Sequence, residues 1–367
     1  MLNYDTYFNS SDWEERSYPD YFIKWDSATR RGKLPFGLIT PDDLLNIITI
    51  YLEEDNVEKA RYAIEYAFAV YGDDEVLSDI LVMLNEYGLW NDLLTFCDRF
   101  RKEDESVENE CHRLIALVHL GMEEEAFYLF GILKKKYGGT GDIEMLGMIY
   151  LAMSEALLDV DLYKSCDEVT IEAMRVLGEE CDFLWIRLQC LVALRDRDTM
   201  HLVAGKIQKL CPFDAETWHD LGDAYKEIGD MGTAIDAYEF ACSLGQDKGN
   251  LFDLIIAYNE NGNYEKAFDR MTEYFERYEG SYMTYFTAAR LCAQLERWAD
   301  ALYYINFAIE EEPAVDSLLY IYKSAFLVSL DELDGAKDAI LEGLRNTEDS
   351  GGRLKEILTE MNKKFPQ

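Results

Sequence analysis

Cys111, His112 and His119, together with Glu108, are the side chains in this sequence that come nearest to a metal-binding group. On one helix, His112 and His119 would share a face because they lie seven residues apart, whereas Cys111 would lie about 100° away from His112. Zinc sites favour closer pairs, such as residues i and i+4, and further ligands from a second element. No second ligand group is in register with this cluster. We therefore expect no metal site, and ordinary surface and groove positions for these residues.

Other signatures of catalysis are missing from the sequence. It contains no glycine-rich phosphate loop, no nucleophile elbow and no His-Glu-x-x-His motif. Runs of carboxylates, such as Glu123–Glu125 and Glu310–Glu312, fit solvated helix ends or turns better than an acid–base pair. We expect a protein that is not an enzyme and that holds no cofactor.

Charge narrows the class of partner. The chain has 72 acidic and 35 basic residues, and its formal net charge is -37. A surface this negative repels phosphate backbones, which argues against nucleic acid as a direct ligand. Two interpretations of the charge stay open here: an acidic exterior that keeps an elongated protein dissolved, or a surface that attracts basic partners.

Two features predict the compartment. The sequence has no apolar run long enough to cross a membrane, and its N-terminal segment lacks the basic and apolar regions of a signal peptide. Its eight cysteines include no Cys-x-x-Cys pair, and several lie on apolar helical stripes. We expect a cytoplasmic protein with reduced, buried thiols and no membrane contact.

The elements that carry these side chains recur at a regular spacing. At 367 residues the chain is too long for one typical compact core. A small or apolar residue that follows a short turn and opens an apolar helical stripe occurs at nine places, which we call the repeat marks: Ala60, Leu93, Ala126, Cys166, Met200, Ala234, Ala267, Ala301 and Ala336. Successive marks lie 33 to 35 residues apart, except for one gap of 40. A period near 34 over nine units predicts a stacked array.

Each unit has the pattern of a helical hairpin. Apolar residues recur at three- and four-residue spacing before and after a turn such as "NENGNYE". Glycine stands five residues before four of the marks, where a helix that ends in a left-handed residue needs it: Gly88, Gly121, Gly229 and Gly262. Thr40, before Pro41, and Asp214 are the expected N-caps of two first helices.

One unit indicates why the marks are small. Gly222 and Ala234 would let the two helices of a hairpin cross closely, with larger side chains filling the space around the crossing. The pattern Trp218-x-x-Leu221-Gly222-x-x-Tyr225, followed by Ala234-x-x-x-Tyr238, resembles the tetratricopeptide repeat consensus. This resemblance implies an all-α fold, a right-handed α-solenoid of about nine helical hairpins.

The array is expected to cover residues 41–347. Besides the unit around Trp218, the good matches are 41–73, 248–281 and 282–315, whereas the units marked by Leu93, Cys166 and Met200 are degenerate. The unit with the gap of 40 exceeds the usual period by about six residues. A local kink or altered curvature is therefore expected between 138 and 212.

Both ends lie outside the period. Residues 1–40 contain nine aromatic residues, too many for a free tail. They would either shield the apolar face of the first hairpin or lie partly in the groove of the array as a pseudo-ligand. Residues 348–367 are predicted to form a capping helix, with Leu354, Ile357, Leu358 and Met361 on one stripe.

In the tetratricopeptide family the first helices of the hairpins line a concave groove, so the resemblance implies which side chains face it. The predicted partner-binding residues are Trp185, His219, Phe252, Ile256, Phe286, Arg290, Leu318 and Ile321. Two interpretations of this apolar stripe beside a cation stay open: a contact surface, or side chains that pack on neighbouring repeats.

The function predicted from this groove is that of a non-catalytic scaffold which binds a peptide or protein segment, chiefly over residues 215–345. Hydrophobic anchors would supply the affinity, and Arg290 would orient an acidic group. Some family members instead clamp a C-terminal carboxylate between lysines and asparagines, but the corresponding places here hold Leu45, Thr49, Ser78 and Val82. The alternative function is a structural array that self-associates as a homo-oligomer and holds no peptide.

Overall fold

The computed structural model describes residues 18–32, 39–71, 74–100, 106–245, 247–312, 317–347 and 352–364. Over these residues the fold is all-α, with twenty helices and no strand. The chain divides into two compact units, Met1–Leu194 (unit 1) and Arg195–Gln367 (unit 2). None of the helices in the described residues has both the length and the apolar character needed to cross a membrane.

Unit 1 contains the first ten helices. They are α1 (Asp20–Arg30), α2 (Pro41–Glu53), α3 (Val57–Tyr71), α4 (Asp74–Glu86), α5 (Trp90–Phe100), α6 (Val107–His119), α7 (Glu123–Thr140), α8 (Ile143–Asp159), α9 (Tyr163–Leu177) and α10 (Cys181–Ala193). From α2 to α9, each even-numbered helix packs against the helix that follows it, which gives four hairpins.

Unit 2 contains the other ten helices. They are α11 (Arg197–Leu210), α12 (Ala215–Glu227), α13 (Met231–Leu244), α14 (Lys248–Glu260), α15 (Tyr264–Arg277), α16 (Tyr282–Gln294), α17 (Trp298–Glu311), α18 (Ser317–Ser329), α19 (Leu333–Asn346) and α20 (Arg353–Lys364). Four more hairpins run from α12 to α19, and α20 packs against α19. The predicted helical-repeat solenoid is thus confirmed.

The nine repeat marks occupy equivalent places. Each mark is the fourth residue of its helix, on α3, α5, α7, α9, α11, α13, α15, α17 and α19. Each has 0% of its surface exposed, whether it is alanine, leucine, cysteine or methionine. Burial at this place, more than small size, is therefore what the nine units share.

The turns before the marks share one backbone feature. Five residues before every mark, the backbone angle φ is positive. The four glycine turns were predicted, and in the other five the left-handed residue is Asp55, Asp161, Arg195, Glu296 or Asp331. Aspartate, which occupies three of these five places, tolerates this conformation better than most residues, and Arg195 and Glu296 adopt it as well, so glycine is not obligatory here.

The predicted close crossing within a hairpin is confirmed at Gly222. A Cβ atom placed on Gly222 of α12 would lie 2.6 Å from Cε1 of Tyr238 on α13. The predicted N-caps are also present, because the Thr40 hydroxyl accepts from the Asp43 N–H at 3.2 Å and the Asp214 carboxylate accepts from the Thr217 N–H at 2.9 Å.

The long unit owes its extra residues to longer helices. α7 has 18 residues and α8 has 17, whereas the other helices of the eight hairpins have 11 to 15. The Lys134 ammonium on α7 lies 2.7 Å from the Glu172 carboxylate on α9, across a sequence separation of 38. The extra turns are thus accommodated without a longer loop. The change of curvature expected here stays a prediction.

Both terminal helices pack on the neighbouring hairpin. On α1, Phe22 and Trp25 are buried, with ring centroids 5.3 Å from Tyr51 and 5.1 Å from Tyr66 of the first hairpin. On α20, Leu354 is buried in the core that α19 shares. This packing supports the shielding interpretation for α1. The pseudo-ligand interpretation also concerns residues 1–17 and 33–38, which lie outside the described residues.

All eight cysteines are free, and five of them are buried. Burial raises the pKa of Cys97, Cys111 and Cys292 to about 12. These three thiols are therefore protonated and unreactive at neutral pH. The expectation of buried thiols does not hold for Cys181, Cys211 and Cys242, which are half-buried.

Candidate functional site

Each of the predicted partner-binding residues lies on a helix that precedes a helix carrying a repeat mark. Trp185 belongs to α10 in unit 1, and the others belong to unit 2: His219 on α12, Phe252 and Ile256 on α14, Phe286 and Arg290 on α16, and Leu318 and Ile321 on α18. We call these seven residues of unit 2 the first-helix surface. Arg290 is exposed, whereas Trp185 and the other six residues are half-buried.

Phe286 and Arg290 form one cluster with Tyr322. The rings of Phe286 and Tyr322 meet edge to face, with centroids 5.1 Å apart, and thereby join α16 to α18. One turn along α16, the Arg290 guanidinium lies 5.8 Å from the centroid of the Phe286 ring, on which it makes a cation–π contact. Each of the two proposed roles of the stripe thus has support here, since Phe286 packs on the next repeat and still leaves part of its surface open.

The Arg290 guanidinium is exposed and takes part in no ion pair with the described residues. Over the described residues, no Asp or Glu oxygen lies within 4.0 Å of its guanidinium. Arg61, by contrast, makes two hydrogen bonds of 2.8 Å to Asp92. An exposed guanidinium can bind a carboxylate through two parallel hydrogen bonds. The Arg290 guanidinium is therefore able to bind a carboxylate of a partner in this way.

His219 is a charged residue held by carboxylates. Its Nε2 lies 2.9 Å from Oδ2 of Asp253 on α14, and its Nδ1 lies 3.6 Å from Asp220 and 3.8 Å from Asp223. The hydrogen bond to Asp253, with the other carboxylates, raises the pKa of His219 to about 9. The imidazole is therefore protonated at neutral pH and makes an ion pair between two repeats.

A second ion pair joins the same two helices. Nζ of Lys226 on α12 lies 3.3 Å from Oε2 of Glu260 on α14. Both pairs join residues 34 apart in sequence, the period of the array. His219 was predicted to bind a partner, and neither ion pair was predicted, although opposite charges one period apart in sequence are the signal that indicates them.

Among the described residues, one group has the composition of a cation site. Nδ1 of His219 and one carboxylate oxygen each from Asp220 and Asp223 lie within 4.8 Å of one another. A histidine with two carboxylates is a donor set that divalent metals accept. Here the proton on His219 already supplies the positive charge, and Asp223 also accepts a hydrogen bond of 2.5 Å from Tyr238. The arrangement is complete as a charged histidine among aspartates.

The cluster first considered for metal binding does not assemble. Cys111 is buried, and the His119 ring stacks on Trp90 with centroids 3.8 Å apart. Burial lowers the pKa of both His112 and His119. Over the described residues these side chains do not bring three ligand atoms together, and Cys111 lies in the core instead of at the expected surface or groove position.

An acidic cavity of about 630 Å³ lies beside His219, where α12 and α14 begin. Its charged lining consists of the carboxylates of Asp214, Glu216, Asp220 and Asp247, with the His219 ring. Asp214 and Asp247 are also N-caps, of α12 and α14 respectively. The cavity and Arg290 therefore give unit 2 one acidic and one basic feature on its first helices.

Comparison with known proteins finds resemblances among solved structures alone. No protein-family model and no curated protein matches the chain. Among solved structures, it is similar to a tetratricopeptide repeat protein from Parabacteroides merdae (12% identity, 69% of this chain and 98% of the other, TM-score 0.40) and to the C-terminal part of a TPR repeat-containing protein from Cytophaga hutchinsonii (14%, 58% and 85%, 0.49). A third is the complex of a TPR2AB domain of yeast Sti1 with pHSP90 (16%, 60% and 99%, 0.28).

The fold is that of a tetratricopeptide-repeat solenoid. The geometry of the chain itself supports this conclusion. The buried marks and the left-handed turns recur in every unit, and the close crossing at Gly222 lies where the repeat consensus has a small residue. In such a solenoid, side chains one period apart come into contact. The tetratricopeptide arrangement thus explains why His219 meets Asp253 and why Lys226 meets Glu260.

Proposed function

We propose that this protein is a non-catalytic scaffold that binds a segment of another protein on the first-helix surface of unit 2. The observation that carries the proposal is Arg290. It is an exposed cation without a carboxylate partner among the described residues, stacked on a half-buried aromatic ring, in a chain of net charge -37. With acidic groups so abundant, an unpaired guanidinium at this place suits an acidic group supplied by a partner.

The surroundings of Arg290 support an apolar anchor beside the acidic group. Phe286, Leu318 and Ile321 are half-buried, so each presents part of an apolar side chain to an incoming residue. A few buried aromatic and arginine contacts supply most of the affinity in protein interfaces. The segment we propose therefore carries an apolar residue next to a carboxylate.

The other end of the surface supports a basic group in the same segment. The cavity beside His219 is lined by four carboxylates, and His219 and Lys226 hold α12 against α14. Because these ion pairs brace the two helices, little ordering of the backbone is needed when a partner binds. The cytoplasm remains our proposed location, since cysteines that are all free thiols suit a reducing compartment.

The proposal is tested by capture with the full chain and its double variant Phe286→Asp/Arg290→Glu. Proteins retained by the wild-type chain from a cell lysate are identified by mass spectrometry, and each is then titrated in purified form. We expect at least one partner whose affinity falls about ten-fold or more in the double variant, because both its anchor and its cation are lost.

A matched control places the same changes on second helices. Tyr303 on α17 has 58% of its surface exposed, and Lys266 on α15 has 65% of its side chain exposed. The variant Tyr303→Asp/Lys266→Glu therefore changes the net charge by the same amount as Phe286→Asp/Arg290→Glu, but away from the site. Circular dichroism should show equal helicity in all three chains. Equal binding by both double variants would refute the proposal. Loss of an oligomer on light scattering in the Phe286→Asp/Arg290→Glu chain alone would instead support the self-association alternative at this surface.

A further inference from the structure

One side of α7 exposes apolar side chains to solvent. Tyr128 is 74% exposed, Ile132 is 44% exposed and Phe127 is 38% exposed. The opposite side of the same helix is buried, since Ala126, Phe130 and Leu133 belong to the core of unit 1. α7 is therefore apolar on two sides, which is unusual for a helix at a protein surface.

Opposite charges flank the exposed apolar residues of this helix. Glu123–Glu125 lie in its first turn, and Lys134–Lys136 lie before its last turn, which contains no basic residue. Lys134 already pairs with Glu172. Glu124 and Lys135 are exposed, and over the described residues neither makes an ion pair.

The exposed apolar and charged groups share one face. With 3.6 residues per turn, Glu124, Tyr128, Gly131, Ile132 and Lys135 lie within an arc of about 100°. Glu124 and Lys135 are about 16 Å apart along the axis, with the apolar residues between them. We call these five residues the α7 stripe.

The α7 stripe is complementary to itself in the antiparallel direction. If two copies of α7 cross about a two-fold axis between residues 129 and 130, Glu124 of each copy faces Lys135 of the other. Tyr128 then faces Gly131, where a Cβ atom would meet nothing within 4 Å, so a ring has room to pack against the backbone. Such a two-fold contact uses the same surface on both subunits.

We propose that the α7 stripe is the contact of a weak homodimer of this chain. Glutamates in the first turn of a helix also stabilise that helix through its dipole, whereas Lys134–Lys136 precede the last turn of α7 and gain little from it. That effect does not account for the exposed tyrosine and isoleucine between them, whereas an antiparallel second copy accounts for both features.

The size and charge of the contact set its strength. One helix per subunit covers less than the ~1,600 Å² of a standard interface, so the dimer dissociates readily at low concentration. The net charge of -37 repels a second copy, but at physiological salt this repulsion is screened beyond about 8 Å, whereas the Glu124–Lys135 contacts are short. The stripe lies in unit 1, so this inference is independent of the function proposed for unit 2.

Reciprocal charge reversal tests the proposal. Lys135→Glu alone brings like charges together twice in a homodimer, and so does Glu124→Lys alone. In a mixture of the two variants, however, both contacts become attractive again. Sedimentation of the full chain over a range of concentrations should show a dimer for the wild type, an affinity lower by about ten-fold or more for each variant, and recovery in the equimolar mixture.

Controls separate this contact from a general effect of charge. Lys266→Glu and Glu265→Lys make the same changes of net charge on α15 of unit 2 and should leave the dimer unchanged. Tyr128→Asp should weaken it, whereas Leu202→Asp, at a residue 70% exposed on α11, should not. A wild-type chain that is monomeric at every concentration overturns the proposal. So does a dimer that persists in the single variants, or a mixture that stays monomeric.

Discussion

His219 and Asp253 lie one repeat apart in sequence and 2.9 Å apart in space, from Nε2 to Oδ2. This ion pair joins α12 to α14, and its histidine is protonated at neutral pH. Because the pair is made only in the folded chain, the stability of unit 2 depends on pH.

The pH dependence of His219 has a definite sign. Its pKa is about 9 in the folded chain and about 6.5 in an unfolded one. The folded state therefore binds the proton more tightly, so the contribution is complete below about pH 6.5 and is lost as the pH rises through 9. We expect it to reach at most about 3 kcal/mol. Denaturant unfolding at pH 6 and pH 10 measures this loss in the wild type, and it should be much smaller in His219→Gln.

Asp253→Asn is the matched change on the other side of this pair. It should lower the pKa of His219, which NMR titration of the imidazole reports directly. An unaltered pH dependence in His219→Gln would show that another group is responsible.

Gly222 is required by packing against Tyr238. An added methyl group would lie 2.6 Å from Cε1 of Tyr238, so Gly222→Ala should destabilise unit 2 by about 1–3 kcal/mol in spite of the better helix propensity of alanine. Gly205→Ala on α11 is the control, because nothing lies within 4 Å of its added methyl group. That change should instead stabilise by about 0.5–1 kcal/mol. Urea unfolding of the two variants should therefore shift in opposite directions, and a common direction would contradict the crossing.

Trp25 on α1 has 0% of its surface exposed and packs against Tyr66 of the first hairpin. If α1 shields that hairpin, Trp25→Ala should destabilise unit 1 by about 3–5 kcal/mol and promote aggregation. Ile23→Ala, at a residue 55% exposed on the same helix, should change stability by less than about 1 kcal/mol. Thermal unfolding with light scattering compares them. Similar melting temperatures for both variants would mean that α1 does not support the hairpin.

Much of the architecture could be predicted because the repeat is a local pattern. Helix periodicity, N-caps such as Thr40 and Asp214, and the crossing at Gly222 depend on residues within a few turns of one another. The five left-handed turns without glycine were missed because their residue types carry a weaker signal than glycine. The lengthening of α7 and α8 in the long unit was also not predicted, since extra residues in a sequence do not show which element becomes longer.

The sequence by itself determined that this chain folds as stacked helical hairpins, because burial of one apolar stripe per helix is a property of each segment. Only the tertiary structure decided which charges are paired, such as His219 with Asp253, and which remain open, such as Arg290 and the α7 stripe. These outcomes depend on how closely successive repeats approach. That distance is set by packing between segments that lie a full period apart in sequence, so the sequence of one segment alone does not determine it.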